Sequence, residues 1–176
     1  MKDRRGFTML EIMIVIAIVG IMAVVATTNF FSWQNHYSSV DFQREFLSMF
    51  NQARTRTMAT NLQHRLLINN SSGTVVTLQS GTLDNVSSWT NVVQPIVGSR
   101  GAGIANVVWD PGTASMPLAF VFDPNGEVLV QTTPSSTTAT SLTQADIHFS
   151  AASVADQATI RVFGWTSKAR LFNGWS

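Results

Sequence analysis

The chain contains no cysteine, which excludes a disulfide framework and any thiolate metal site. Charge is sparse. Asp, Glu, Lys and Arg make up 12% of the 176 residues, against roughly 25% in an ordinary soluble domain. Histidine is limited to His36, His64 and His148, too far apart for a ligand-like spacing, and no metal or cofactor is expected. No proline precedes Pro95, so nothing in the first half of the chain forces a helix to break. The formal net charge is only +1, and it is unevenly placed: Lys2, Arg4 and Arg5 crowd the start, while the residues beyond Gly6 hold 8 basic and 9 acidic side chains. A global electrostatic attraction to nucleic acid is therefore not indicated. Nor is a catalytic set. There is no Gly-x-Ser-x-Gly elbow, the acids and histidines lack mutual spacing, and Gly101-Ala102-Gly103 lacks the full glycine spacing and following helix of a nucleotide-binding loop. The expectation is a non-enzymatic protein.

What the sequence does have is a long apolar run behind a basic head. Ile12 to Ala26 carries no charge and no strongly polar side chain. With Met9 and Leu10 the stretch approaches the roughly 20 residues of a membrane span, and the basic head is expected to stay on the cytoplasmic side. Two plain readings compete. A secretory signal peptide would end in a small-x-small site, for which Ala23-Val24-Val25-Ala26 is a loose match. A simple single-span anchor is the other. Neither accounts for Glu11, because a carboxylate within an apolar run costs several kcal/mol in lipid unless paired, although an acid near the end of a span can also snorkel to the interface.

The segment Gly6-Phe7-Thr8-Met9-Leu10-Glu11 closely resembles the processing site of type IV prepilins and type II secretion pseudopilins. The resemblance combines the basic leader, Gly-Phe-Thr, the acid and the apolar helix. It implies cleavage after Gly6 by a prepilin peptidase, N-methylation of Phe7, and a structural subunit carried through an inner-membrane assembly platform into a filament of pilin or pseudopilin subunits. It also implies an assembly role for Glu11. In an apolar filament core a neighbour's Glu11 would neutralise the Phe7 amine and set axial register, since a buried charge is tolerable when paired and hydrogen-bonded.

Beyond the run, Phe42, Phe46, Met49 and Ala53 follow a helical spacing that Phe50 and Thr57 widen. Asp41, Arg44, Glu45, Gln52, Arg54 and Arg56 supply polar faces. One helix from Phe7 to about Thr60 is expected, its second half packing that stripe on a small domain. Phe30, Phe31, Trp33 and Tyr37 read as an aromatic belt at a membrane interface, and can equally pack on neighbouring helices. From Gln63 the texture becomes β-rich. His64–Asn69 and Thr74–Gln79 read as a hairpin. Pro117–Phe122 and Glu127–Gln131 flank the turn Asp123-Pro124-Asn125-Gly126. Ala145–Ser150 and Ala158–Phe163 are the last clear strands, and residues 80–105 resist parsing. The fold class is α+β, pilin-like: one long N-terminal helix against a small, mostly antiparallel sheet. The expected divisions are 1–6 leader, 7–30 membrane-spanning and filament-core helix, 31–61 amphipathic continuation and 62–176 globular domain, with a periplasmic C-terminal part.

Gln52-Ala53-Arg54, the Phe122-to-Gly126 turn, and a C-terminal strand followed by Gly164 and basic residues resemble the GspH/FimT-type minor pilins and pseudopilins. That likeness implies a minor subunit of a pilus (fimbrium) or of a type II secretion pseudopilus. A major pilin is the alternative, as is a DNA- or surface-binding tip module. For the latter Arg161, Lys168 and Arg170 are the candidate nucleic-acid-binding residues, with Trp165 and Trp175 nearby for base stacking. Asp110, Asp123 and Asp146 are candidate calcium ligands without an EF-hand series; turn capping is the plainer use of the first two.

Overall fold

A computed structural model describes residues 7–110 and 112–175. They fall into two compact units, one ending at Gln34 and one running from Asn35. A single α-helix, α1, covers Met9–Thr60, ending where the uninterrupted helix of the sequence reading was expected to end.

In the first unit the helix is apolar on every side, and Phe7 to Phe31 present their large side chains to the exterior. Two polar residues that close this stretch, Thr27 and Asn29, turn back on their own helix. The Thr27 hydroxyl donates to the Ala23 carbonyl at 2.7 Å and the Asn29 amide to the Val25 carbonyl at 3.2 Å. Such back-bonding hides polar groups that an apolar surrounding could not satisfy.

In the second unit the helix carries a stripe instead. Phe42, Phe46, Met49, Phe50, Ala53 and Thr57 are all buried, as the spacing requires. Among the described residues twelve strands follow: β1 (Gln63–Asn69), β2 (Val75–Thr82), β3 (Asn85–Asn91), β4 (Ile96–Val97), β5 (Gly103–Trp109), β6 (Gly112–Ala114), β7 (Leu118–Phe122), β8 (Val128–Gln131), β9 (Thr140–Ser141), β10 (Gln144–Ser150), β11 (Ala158–Phe163) and β12 (Lys168–Asn173). The strands form two sheets rather than the one read from the sequence. The first runs β3-β2-β1-β7-β8-β9, with β4 also on β2; the second runs β12-β11-β10-β5-β6. Every pairing between these strands is antiparallel.

The helix stripe serves both sheets. Phe42 and Phe46 meet Phe149 of β10 edge-on at 5.9 and 5.3 Å, and Phe50 meets Phe122 of β7 at 4.8 Å. Leu66, Ile68, Val76, Leu78, Phe120, Ile147 and Ile160 complete one core. Loops are tied to the helix by polar contacts at its start in this unit. Ser38 donates to the Ser99 carbonyl at 3.1 Å, the buried Gln43 amide donates to the Asp156 carbonyl at 2.9 Å, and His36 pairs with Asp156 at 2.5 Å.

The segment 80–105 contains β3, β4 and the start of β5. The indole of Trp89 on β3 covers Gly81, where a Cβ would lie 2.8 Å from the ring. A register slip between Ser80 and Thr82 accompanies this close approach, which explains why no alternating pattern was visible there. Residues 132–141 form a loop that holds only the two-residue β9.

Candidate functional site

Two places carry the residues singled out from the sequence. At the start of α1, the Glu11 backbone N–H donates to the Thr8 hydroxyl at 3.2 Å. Thr8 thus stands where an N-cap stands, and the Thr8-x-x-Glu11 spacing is that of a capping box, a signal legible in the sequence but not drawn from it. The Glu11 carboxylate lies in the first helical turn, where its charge complements the helix dipole. It is exposed, and among the described residues no cation pairs with it. Phe7 is 79% exposed. Gly6, the residue before the expected cleavage point, lies outside the described residues. The helix behind them is long and apolar enough to cross a membrane, consistent with a single membrane-spanning segment.

The second place is the outer face of the second sheet. Register puts Arg161 opposite both Asp146 and Arg170, and Lys168 opposite Phe163. Directly opposed residues share a face, as do residues two apart on a strand. Arg161, Lys168, Arg170 and Phe172 therefore lie together on the face turned from the core. Arg161 is not free, however. Its Nε and Nη2 donate to the two Asp146 carboxylate oxygens at 2.7 and 2.8 Å, a bidentate pair that raises the guanidinium pKa. Its Cζ lies 5.3 Å from the Phe172 ring centre. Lys168 and Arg170 are exposed, and among the described residues neither makes an ion pair. Trp165 is exposed in the short turn before β12. Trp175 instead folds back: its indole N–H donates to the Phe149 carbonyl at 3.1 Å and its ring packs on His148 at 5.5 Å.

Asp110 and Asp146 line one open pocket beside Thr143 and Gln144, but Asp123 is not part of it. Asp123 accepts from the Gln63 amide at 2.9 Å and from the Asn125 N–H at 3.3 Å in the β7–β8 turn, the capping use foreseen for it. Asp146 is taken by Arg161. Among the described residues no group of three or more His, Asp or Glu side chains could hold a metal ion.

Gly164 has a structural reason. A Cβ there would stand 1.7 Å from the Leu142 carbonyl oxygen, so only glycine allows β11 to end against that backbone. Sequence reasoning missed Arg65 altogether. It lies on the outer face of the first sheet, opposite Gln79 and Val121, and is 5% exposed. Its Nε donates to Gln79 Oε1 at 2.7 Å, and its Nη1 to Gln131 Oε1 and the Pro134 carbonyl, both at 2.9 Å. Trp89 lies over it at 4.3 Å. Burial lowers its pKa to about 10.

In comparison with known families, residues 1–27 match the prokaryotic N-terminal methylation motif, a feature of the broad type IV pilin and pseudopilin superfamily. No curated protein and no solved structure matches the chain.

Proposed function

We propose that the chain is a minor pilin or pseudopilin, a structural subunit of a type IV pilus or a type II secretion pseudopilus. The observation that carries the reading is the methylation motif over residues 1–27 continuing into a helix whose apolar side chains are exposed. An exposed apolar helix needs lipid or neighbouring helices as its surrounding, and a pilin helix uses each in turn. In this reading residues 1–6 are the leader removed after Gly6, and 7–30 form the membrane and then filament-core segment. Residues 31–61 continue the helix onto the β-rich domain of 62–176. The Phe7 amine freed by the peptidase pairs with Glu11 of a neighbour, with the assembly platform and other pilin-like subunits as partners. Glu11 is exposed, and among the described residues no cation pairs with it, which supports that pairing.

The minor-subunit assignment rests on the GspH/FimT likeness, including Gly164 after the penultimate core strand. A DNA-binding tip module is less well supported. With Arg161 held by Asp146, two of the three candidate cations remain, a small electrostatic footprint for a nucleic-acid site.

The test is intact-mass and N-terminal analysis of the protein from its native membrane, before and after filaments are sheared off. A mature chain starting at N-methyl-Phe7 is expected, with Glu11→Val still cleaved but excluded from the sheared fraction. An uncut Met1, or a start after Ala26, overturns the reading. Abundance in the sheared fraction separates a major from a minor subunit.

A further inference from the structure

Sheet edges expose unpaired backbone N–H and C=O groups, and proteins defend them by shortness, bulges, polarity or cover. Three of the four edges here are defended. In the first sheet, β9 is two residues long, and on the other side β3 is polar and slipped in register against β2, with the two-residue β4 beside it. In the second sheet β6 has three residues. The fourth edge, β12, is different. Its six residues pair with β11 in an unbroken register from Lys168 to Asn173. All but Ala169 are exposed, including Leu171 at 41% and Phe172 at 39%. A strand this regular and this uncovered is a template for another strand.

The side chains state what that strand must look like. On the outer face Lys168 and Arg170 are exposed cations, beside Arg161, whose charge Asp146 already offsets. On the inner face Ala169 and Leu171 lie opposite Val162 and Ile160, so the apolar core continues to the rim. A second copy of β12 aligned outer face to outer face would gather four cations, and opposed like charges are destabilising. A segment alternating acidic and apolar residues satisfies both faces.

We propose that β12 is a strand-addition site for an extended segment of a partner polypeptide, with carboxylates on the outer side against Lys168 and Arg170 and apolar residues on the inner side against Leu171. The site is independent of the filament reading, because it needs only the second unit's fold. Main-chain hydrogen bonds give the affinity, and the two cations give the sign selectivity.

The experiment uses the full chain in detergent micelles and a short synthetic peptide of alternating valine and glutamate, read by amide hydrogen exchange and titration. The peptide is expected to protect the amides of Lys168–Asn173. N-methylation of alternate peptide nitrogens should abolish this. The double variant Lys168→Glu/Arg170→Glu should weaken binding about two- to tenfold, as two exposed charge pairs allow, and should gain binding to a valine–lysine peptide. Unchanged exchange of the core strands in the unliganded variant verifies its fold. Absence of protection, binding indifferent to N-methylation, or protection of β12 by a single-stranded oligonucleotide but not by the peptide would each overturn the proposal, the last in favour of a nucleic-acid surface.

Discussion

Two stretches of α1 carry large apolar side chains and meet opposite fates. From Ile12 to Val25 the large apolar side chains are 45% to 72% exposed, whereas Phe42, Phe46, Met49 and Phe50 are at most 6% exposed. The two differ in how many apolar side chains they hold and, above all, in how those side chains are arranged. In the first stretch apolar residues occupy every side of the helix, so no single packed face could cover them. In the second they keep to one stripe with Asp41, Arg44 and Glu45 on the opposite side, and two sheets of the same chain close over that stripe. An all-round pattern asks for a surrounding outside the chain, and a stripe asks for a partner inside it.

The largest effect that would break this comparison is a paired truncation. Phe46→Ala should destabilise the second unit by about 3–5 kcal/mol, the usual cost of emptying an aromatic core site. Ile16→Ala should change the same quantity by no more than about 0.5 kcal/mol, as for a residue outside any core. Urea unfolding of the full chain in micelles, followed by tryptophan fluorescence, measures both. Equal losses would mean that the first stretch belongs to the same core as the second.

Periodicity made the stripe legible, and alternation with turn chemistry did the same for β1, β2, β7, β8, β10 and β11. Those signals are local, and what escaped is what depends on pairing. Gln43 looks like a surface residue until the distant Asp156 carbonyl meets its amide. Arg161 reads as a member of a basic cluster until register sets Asp146 beside it. The division into two sheets is equally non-local, because β5 finds β10 and β7 finds β1 across long intervals. Of the N-terminal site, the apolar run is fully visible in the sequence, and so is the Thr8–Glu11 spacing of a capping box.

Arg65 sharpens the comparison at intermediate size. The first stretch holds no buried polar group, whereas the second unit buries a cation hydrogen-bonded to neutral acceptors. Burial of an unpaired charge is costly, and hydrogen bonds plus the Trp89 face offset that cost. Arg65→Met removes the charge but strands Gln79, Gln131 and the Pro134 carbonyl. The loss expected is about 2–3 kcal/mol, since buried acceptors left without donors keep their full desolvation penalty. Gln131 also donates to the Ser136 carbonyl, so the loop from Thr132 to Ala139 should exchange its amides faster in the variant. Unchanged stability with an unchanged loop would show that the cation is incidental to the outer face.

The smallest expected effect is a pH dependence confined to the second unit. The His64 ring is buried at the start of β1, with Nδ1 3.2 Å from the Thr57 hydroxyl oxygen and 3.1 Å from the Leu62 carbonyl. The Thr57 hydroxyl donates to Ala53, so both neighbours of Nδ1 are acceptors and the neutral ring must carry its proton there. A second proton would then go to Nε2. Desolvation is the main cause that lowers the pKa; the Leu62 hydrogen bond opposes it, and the Arg56 charge adds to it. Because the folded value lies below the ordinary 6.5, the unfolded chain takes up the proton first as pH falls. Stability contributed by the neutral ring is complete above that value and declines as pH drops from it toward the folded pKa. His64→Gln, which keeps a donor near Leu62 but cannot titrate, should flatten the difference between unfolding midpoints at about pH 7.5 and about pH 5. If the variant keeps the full difference, the acid sensitivity of the second unit arises elsewhere, and burial of His64 is a matter of packing rather than of charge.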